Sequence, residues 1–412
     1  MEDIELLIKE QEDGLKDFFS NREKITLKNQ KKILAAMQEE KLAASDFHWT
    51  TGYGYGDDGR DKVEAIYSRI FHTEDALVRP NIVSGTHAIF LSISSFLKEG
   101  SHLLSLCGPL YDTMQKAIGL TGNEPMNLKD RGVSYTEVPL KDGQMDYELF
   151  GDYLQKNTDL VVIQRSTGYS NRRAFTVEEI KQAIQKIKTI NPNIPVFIDN
   201  CYGEFTEIIE PTDVGADLMA GSLIKNPGGG LAYCGGYIVG KSTYIQRIAN
   251  LLTAPGIGKE CGLSFGMTRQ ILQGLFLAPH IVSEALKGAL LFAKCFETLG
   301  YPCIPKGTDP RSDIIQSITF HNPEKLKAFC EEIQKSSPVD SHFIPTPWEM
   351  PGYEDPVIMA AGGFIEGSSI ELSADGPMRD PYIAYFQGGL TYAHCLISLE
   401  NVLQRFKKEK WI

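Results

Sequence analysis

Between about residues 60 and 255 the apolar positions switch repeatedly between helical spacing and short β-rich runs. "DKVEAIYSRIF" (61–71), "AIFLSISSFL" (88–97) and "TVEEIKQAIQKIKTI" (176–190) carry the helical period. "HLLSL", "SYTEVPL", "LVVIQ", "VFIDN" and "GYIVG" are short runs of β-branched or aromatic content lying between such helices. That alternation predicts a largely parallel sheet covered by helices. A long helical stretch, 267–300, follows and is expected to join two lobes, bent near Pro279. Beyond it "DIIQSITF" and "SSIELSA" predict strands of a smaller α/β lobe, closed by a helix within "GGLTYAHCLISLENVLQRFKK". The expected division is an N-terminal helical arm and loop (1–60), a large domain (61–280) and a small C-terminal domain (281–412).

Length and composition narrow the class. A chain of 412 residues exceeds one ordinary core, so a large and a small domain are expected. The 42% apolar and 23% charged content is that of a soluble globular protein, and no run of apolar residues suggests a membrane span. A net charge of -12 argues against nucleic-acid binding, which needs clustered Lys and Arg. The cysteines (107, 201, 234, 261, 295, 303, 330 and 395) are dispersed without CxxC spacing and read as free thiols. With the acidic "MEDIELLIKEQEDG" start, they point to the cytoplasm. The histidines lack paired metal-ligand spacing, so no metal is expected.

Candidate chemistry centres on "GSLIKNPGGG" (221–230), which sets Lys225 among small residues three positions after Ser222. Alone, this favours a solvent-facing loop lysine, because most lysines are exposed. Upstream, "VFIDN" ends a predicted strand in Asp199, and the carboxyl ends of such strands border the ligand crevice of doubly wound sheets. A helix N-cap is the competing role for that carboxylate. "VSGTHAI" places Ser84, Gly85 and Thr86 at a helix start, which suits a phosphate but also an ordinary cap. In "CGPLYDTM", Tyr111 follows a predicted strand and could lie flat on a planar ligand or belong to the core.

The order of these signals carries more than any one of them. A phosphate cup, a stacking aromatic, a strand-end aspartate and a lysine form the ordered set of a pyridoxal phosphate enzyme of the aspartate-aminotransferase-like fold. The phosphate needs fixed donors and the ring an aromatic face, while the ring nitrogen needs an ionised carboxylate. An amine must carry the cofactor covalently and then move protons, which Lys225 can do once its pKa is lowered by its setting or by imine formation. The neighbouring glycines are expected to let the cofactor approach closely.

Eight motifs extend the pattern across residues 50–390: "GYGYGDDGRDKVE", "VSGTHAI", "FIDNCYGEF", "AGSLIKNPGGGLA", "APGIG", "QGLFLAPH", "MPGY" and "ELSADGPMRDPY". As a set they resemble the aluminium-resistance protein family, relatives of cystathionine lyases and methionine gamma-lyases. The resemblance implies an α/β fold of type I, with a mainly parallel seven-stranded sheet in the large domain. It also implies pyridoxal 5'-phosphate and a homotetramer built from dimers that share active sites. Lys225 matches the Schiff-base lysine, Asp199 the partner of the ring nitrogen and Tyr111 the stacking tyrosine. Gly85, Thr86 and Ser222 match phosphate ligands, beside Ser84. Tyr55 and Arg60 resemble residues that reach the neighbouring subunit's phosphate, with Tyr53 a substitute for Tyr55 or a substrate contact.

One position departs from that pattern. Where the lyases carry a carboxylate-binding arginine, "IELSADG" has Glu371. Arg379 is the first replacement considered, with Arg165, Arg172 and Arg173 its rivals, the last two read also as solvated charges. The expected reaction is carbon–sulfur cleavage in a small-molecule amino acid of the cystathionine, methionine or cysteine type, by α,β- or α,γ-elimination. Alternatives are an aldolase or carbon–carbon lyase on the same cofactor, and a non-catalytic metal-tolerance protein on the same scaffold.

Overall fold

The computed structural model describes residues 2–350 and 353–412, so Pro351 and Gly352 of the "MPGY" motif lie outside the described residues. Seven strands form the large sheet: β1 (Asp75–Arg79), β2 (His102–Ser105), β3 (Ser134–Glu137), β4 (Thr158–Gln164), β5 (Val196–Asp199), β6 (Leu218–Ser222) and β7 (Gly236–Gly240). Their spatial order is β1-β7-β6-β5-β4-β2-β3. The β3-β2-β4-β5-β6 pairs are parallel, and β7 runs antiparallel to both β6 and β1. The fold is therefore α/β with the mixed, mostly parallel seven-stranded sheet that was expected. β1 and β6 were not anticipated as strands: "DALVR" begins and ends in charge, and "LMAGS" is small and glycine-containing, yet every residue of β6 is buried. Burial on both faces removes the alternation by which a strand is recognised.

After α1 (Glu2–Asp13), helices cover this sheet: α2 (Lys16–Glu39), α3 (Asp58–Ile70), α4 (Gly85–Phe96), α5 (Asp112–Ile118), α6 (Val177–Ile190) and α7 (Ser242–Leu252). Their starts follow from local chemistry. Thr176 caps α6 in a reciprocal pair with Glu179, and Ser84 caps α4 by accepting from the His87 amide at 3.0 Å.

The long helix α8 (Thr268–Thr298) runs as one element through Pro279. It is long and apolar enough to cross a bilayer, contrary to the expectation from composition, but most of that stretch is buried within the fold. Its residues from Ile271 to Leu286 pack in the core of the large sheet and those from Ala289 to Phe296 in a second core. The division expected at 280 and 281 thus falls inside a continuous helix. The second core lies under an antiparallel sheet of β8 (Cys303–Ile304), β9 (Ile315–Thr319), β10 (Val357–Ala360), β11 (Ser373–Pro377) and β12 (Ile383–Gln387), ordered β8-β9-β12-β11-β10. Helices α9 (Pro323–Lys335) and α10 (Tyr392–Lys408) cover it. The N-terminal arm is split: Ile4 and Ile8 of α1 join this second core, whereas Ile33, Ala36 and Met37 of α2 join the first. Tyr392 donates to Glu12 Oε1 at 2.6 Å and Lys407 pairs with Asp3 at 2.9 Å.

The strand expected from "SSIELSA" starts later, at Ser373. Glu371 is buried, and its two carboxylate oxygens accept from the Phe364 and Ile365 amides at 2.7 and 2.8 Å, which holds the preceding residues in a turn.

The glycines after Lys225 answer to packing. A Cβ on Gly274 of α8 would lie 2.0 Å from the Gly228 carbonyl oxygen, and one on Gly229 would lie 2.3 Å from that of Gly274. Backbone therefore meets backbone between α8 and the lysine loop, and Gly229 also adopts φ +52°. These glycines let the helix in, a different use from the cofactor approach expected of them. Gly274→Ala is expected to destabilise the protein by about 1–3 kcal/mol through overpacking, measured by denaturant titration. An unchanged midpoint would show that the contact relaxes freely.

Candidate functional site

The carboxyl ends of β2, β4, β5 and β6 open on a cleft of about 280 Å³, closed from above by β9, β11 and β12 of the small lobe. Strand register sets Gln164 and Ala220 beside Asp199, one on each flanking strand. Ser222 ends β6, and Lys225 follows it three residues later. Tyr111, after β2, stands at the start of α5, with its amide donating to Gln164 Oε1 at 2.8 Å and its phenol to Thr86 Oγ1 at 3.0 Å. Ser84, Gly85, Thr86, Tyr111, Asp199, Ser222 and Lys225 all line the same cleft. Seven positions drawn from a span of more than 140 residues thus meet in one place.

The geometry there suits a phosphorylated planar ligand. A Cβ on Gly85 would approach Ser222 Cβ and Cys201 Sγ at 3.2 and 3.3 Å, so only the bare backbone of the α4 start fits between them. The first amides of a helix have no intrahelical acceptor, and the hydroxyls of Ser84, Thr86 and Ser222 border them. Asp199 is buried and accepts from the Cys201 amide at 3.1 Å. Burial raises its carboxyl above the usual range, while Lys225 and the Cys201 amide pull the other way. A cationic ring nitrogen is the kind of partner such an acid lacks.

Lys225 Nζ lies 3.9 Å above the Tyr202 ring. Burial works against its charge, but Cys201, Tyr202, Asp199 and Tyr111 outweigh it and hold the amine well above the usual lysine range. The setting therefore raises the pKa that the sequence reading expected it to lower, which leaves imine formation as the route to a weaker base.

Other residues of the cleft were not singled out from the sequence. Gln164, Tyr169, Tyr202, Asp375, Tyr385 and Gln387 line it, the last three because β11 and β12 face the large sheet. Beneath it, Glu204 is buried, accepts from the Tyr237 phenol at 2.7 Å and is pushed up to about 8 by burial. It stands within the quoted "FIDNCYGEF" motif, where an acid five residues past Asp199 was the available signal.

The arginines require correction. Arg165 is buried within the protein and fully used: it donates to Asn200, Gly203 and Thr206 and pairs with Glu207 at 2.8 Å. It braces the loop after β5 and cannot also bind a substrate carboxylate. Arg172 is likewise buried, donating to the carbonyls of Gln164, Arg165 and Ser166 with its plane 4.1 Å over Phe175, so it is not a solvated charge. Arg173 pairs with Glu179 at 2.6 Å. Arg379 is 47% exposed, pairs with Asp355 at 2.9 Å, and is not among the residues that line the cleft.

Arg60 is likewise engaged within its own chain. It is buried, and its guanidinium donates to the carbonyls of Gly54 and Gly262 at 2.7 and 3.0 Å. Those bonds pin the "GYGYG" loop, whose Tyr53 and Tyr55 are 76% and 63% exposed and outside the cleft of their own chain.

The methionine gamma-lyase family matches residues 4–407. The chain belongs to that family. Within reach of it, uncharacterized protein YnbB of Bacillus subtilis (strain 168) is 51% identical over 90% of this chain and 89% of its own length. The structure of a carbon-sulfur lyase involved in aluminum resistance from Clostridium novyi NT is 48% identical, with a TM-score of 0.94 over 98% of this chain and 96% of that one. A pyridoxal-5'-phosphate dependent protein, YhfS from Escherichia coli, is 16% identical with a TM-score of 0.63 over 93% and 96% of the two chains, a likeness of fold alone. Family membership and these structures make the fold type I and the family one of lyases.

Glu204 yields a pH prediction. A carboxyl raised from 4.5 to about 8 favours the folded state when protonated, so its contribution is complete below 4.5 and lost as pH rises through 8. Glu204→Gln is therefore expected to gain stability over the parent by an increasing margin between pH 5 and 8, on the order of a few kcal/mol. Paired urea titrations across that range check it, and a margin that does not grow with pH would refute it.

Proposed function

We propose that the protein is a pyridoxal phosphate-dependent carbon–sulfur lyase acting on a sulfur-containing amino acid by α,β- or α,γ-elimination. The observation that carries this reading is the meeting of Lys225, the buried Asp199 and the Ser84–Thr86 helix start in one cleft. Lys225 would hold the cofactor covalently, Asp199 its ring nitrogen, and Gly85, Thr86 and Ser222 its phosphate, with Tyr111 against the ring. Bound there, the cofactor supplies an electron sink for the carbanion made at the substrate's α-carbon.

The chain's own residues do the rest. Lys225 Nζ takes the proton from the α-carbon and is the group placed to return one. The Tyr111 phenol, tied to Thr86 Oγ1, is raised well above its ordinary value by burial and by Asp199, so it stays protonated and can donate. The C–S bond breaks with its electron pair on sulfur, releasing a thiolate, and water hydrolyses the remaining enamine to a 2-oxo acid and ammonia. Free cysteines throughout the chain support a reducing compartment, the cytoplasm.

The exposed Tyr53 and Tyr55, with Trp49 and Phe265 nearby in the chain or in contact through Gly262 and Gly266, support contact with a second copy that shares the active site, within the homotetramer of dimers that the resemblance implies.

With the holoenzyme and a panel of sulfur amino acids, thiol, 2-oxo acid and ammonia are expected in equal amounts. Lys225→Ala should lower turnover by about 10²–10⁴-fold or more. Glycine and an aldehyde as products would replace the reading by an aldolase one. Mixing inactive Lys225→Ala with Tyr55→Ala subunits should restore activity that neither has alone. Failure of dissociated and reassembled mixtures to regain any would count against shared sites.

A further inference from the structure

The cleft has a second pole, away from the phosphate cradle, built by Tyr169, Tyr353, Tyr385, Ile315, Gln387 and Asp375. Tyr169 lies 5.5 Å from Tyr353 and 4.9 Å from Tyr385 between ring centroids, and the Tyr385 phenol donates to the Tyr169 carbonyl at 2.9 Å. Three aromatic rings are thereby fixed around one acid. Asp375 is buried on β11; its Oδ2 accepts from Gln387 Nε2 at 3.2 Å, and the Tyr169 phenol stands within weaker reach, which leaves Oδ1 without a well-formed hydrogen bond among the described residues. An unpartnered buried carboxylate oxygen is costly unless a ligand completes it. Lys225 is the sole cation among the residues lining the cleft, and the proposed chemistry already employs it.

Electron-rich ring faces and a carboxylate attract the same thing, an ammonium group. Resting on the lyase reading above, we infer that Asp375 and its tyrosine box select the leaving arm of the substrate, taking arms that end in a primary amine over neutral or acidic ones. Burial pushes the Asp375 carboxyl up to about 7, against the pull of Tyr169 and Gln387, so a bound ammonium would draw it into the ionised form. A carboxylate-tipped arm would face the opposite: Asp375, with no arginine lining the cleft and Arg379, outside it near Tyr385 and Asp112, paired with Asp355. The substrate class is thus an amine-tipped thioether of cysteine or homocysteine.

Probes that differ at the tip of the arm test this. L-Lysine and L-norleucine have no sulfur to expel, so calorimetric titration of the cofactor-loaded protein with each reads binding alone. L-Lysine is expected to bind about 10–100-fold more tightly, the range of a hydrogen bond to a buried charge. In Asp375→Asn that preference should vanish while norleucine affinity is kept. Turnover should follow the same order, S-(2-aminoethyl)-L-cysteine ahead of S-propyl-L-cysteine and S-carboxymethyl-L-cysteine. Equal affinities in the parent protein would overturn the assignment even if Asp375→Asn failed to fold, and so would a preference that survives the substitution. A binding preference without thiol release from any probe would remove the lyase reading and leave the amine pole standing.

Discussion

A carboxylate and an amine must be kept out of water together at the top of the large sheet. Asp199 accepts from the Cys201 amide, Lys225 sits over the Tyr202 ring, and each favours the charged form of the other. Much of the surrounding structure serves that placement. The loop after β5 carries Cys201 and Tyr202, and Arg165 holds it in place through Asn200 and Gly203. The lysine loop is held in turn by Asn226, which donates to the carbonyls of Tyr202 and Glu204. Two loops from adjacent strands are thus tied to each other by side chains that never enter the cleft.

The same economy explains why arginine was misleading here. An arginine after a strand suits carboxylate recognition, but it equally suits a loop rich in carbonyls, because its five donors can satisfy several at once. Arg165, Arg172 and Arg60 all take the second role. Glu371, standing where an arginine was expected, also turns inward and binds backbone amides. The cleft is left with acid and phenol on its small-lobe side, a different recognition chemistry from the one the lyase pattern implies.

The helices and most strands of the large domain were legible because their periods and caps are local: Thr176 with Glu179, or "GYIVG", which matches β7 residue for residue. The cradle was legible as a helix start, and Lys225 through its order after a strand-end aspartate, although β1 and β6, the strands that precede them, were not. Asp375, Tyr169 and Tyr385 were not. Asp375 and Tyr385 reach the cleft through the antiparallel pairing of β11 with β12, and Tyr169, in the loop after β4, meets them only where one lobe docks on the other, which no spacing in the sequence records. The glycines after Lys225 showed that something comes close, but only the three-dimensional arrangement identifies it as α8.

The clasp between the first helix and the last has a consequence for biosynthesis. Ile4 and Ile8 bury themselves in a core completed by Leu399, Val402 and Phe406, almost the whole chain away. During translation α1 leaves the ribosome well before α10 does, so its apolar stripe lacks this partner through the synthesis of the residues between them. Its acidic character, with Asp3, Glu5, Glu10, Glu12 and Asp13 around that stripe, keeps the waiting segment hydrated and discourages premature association.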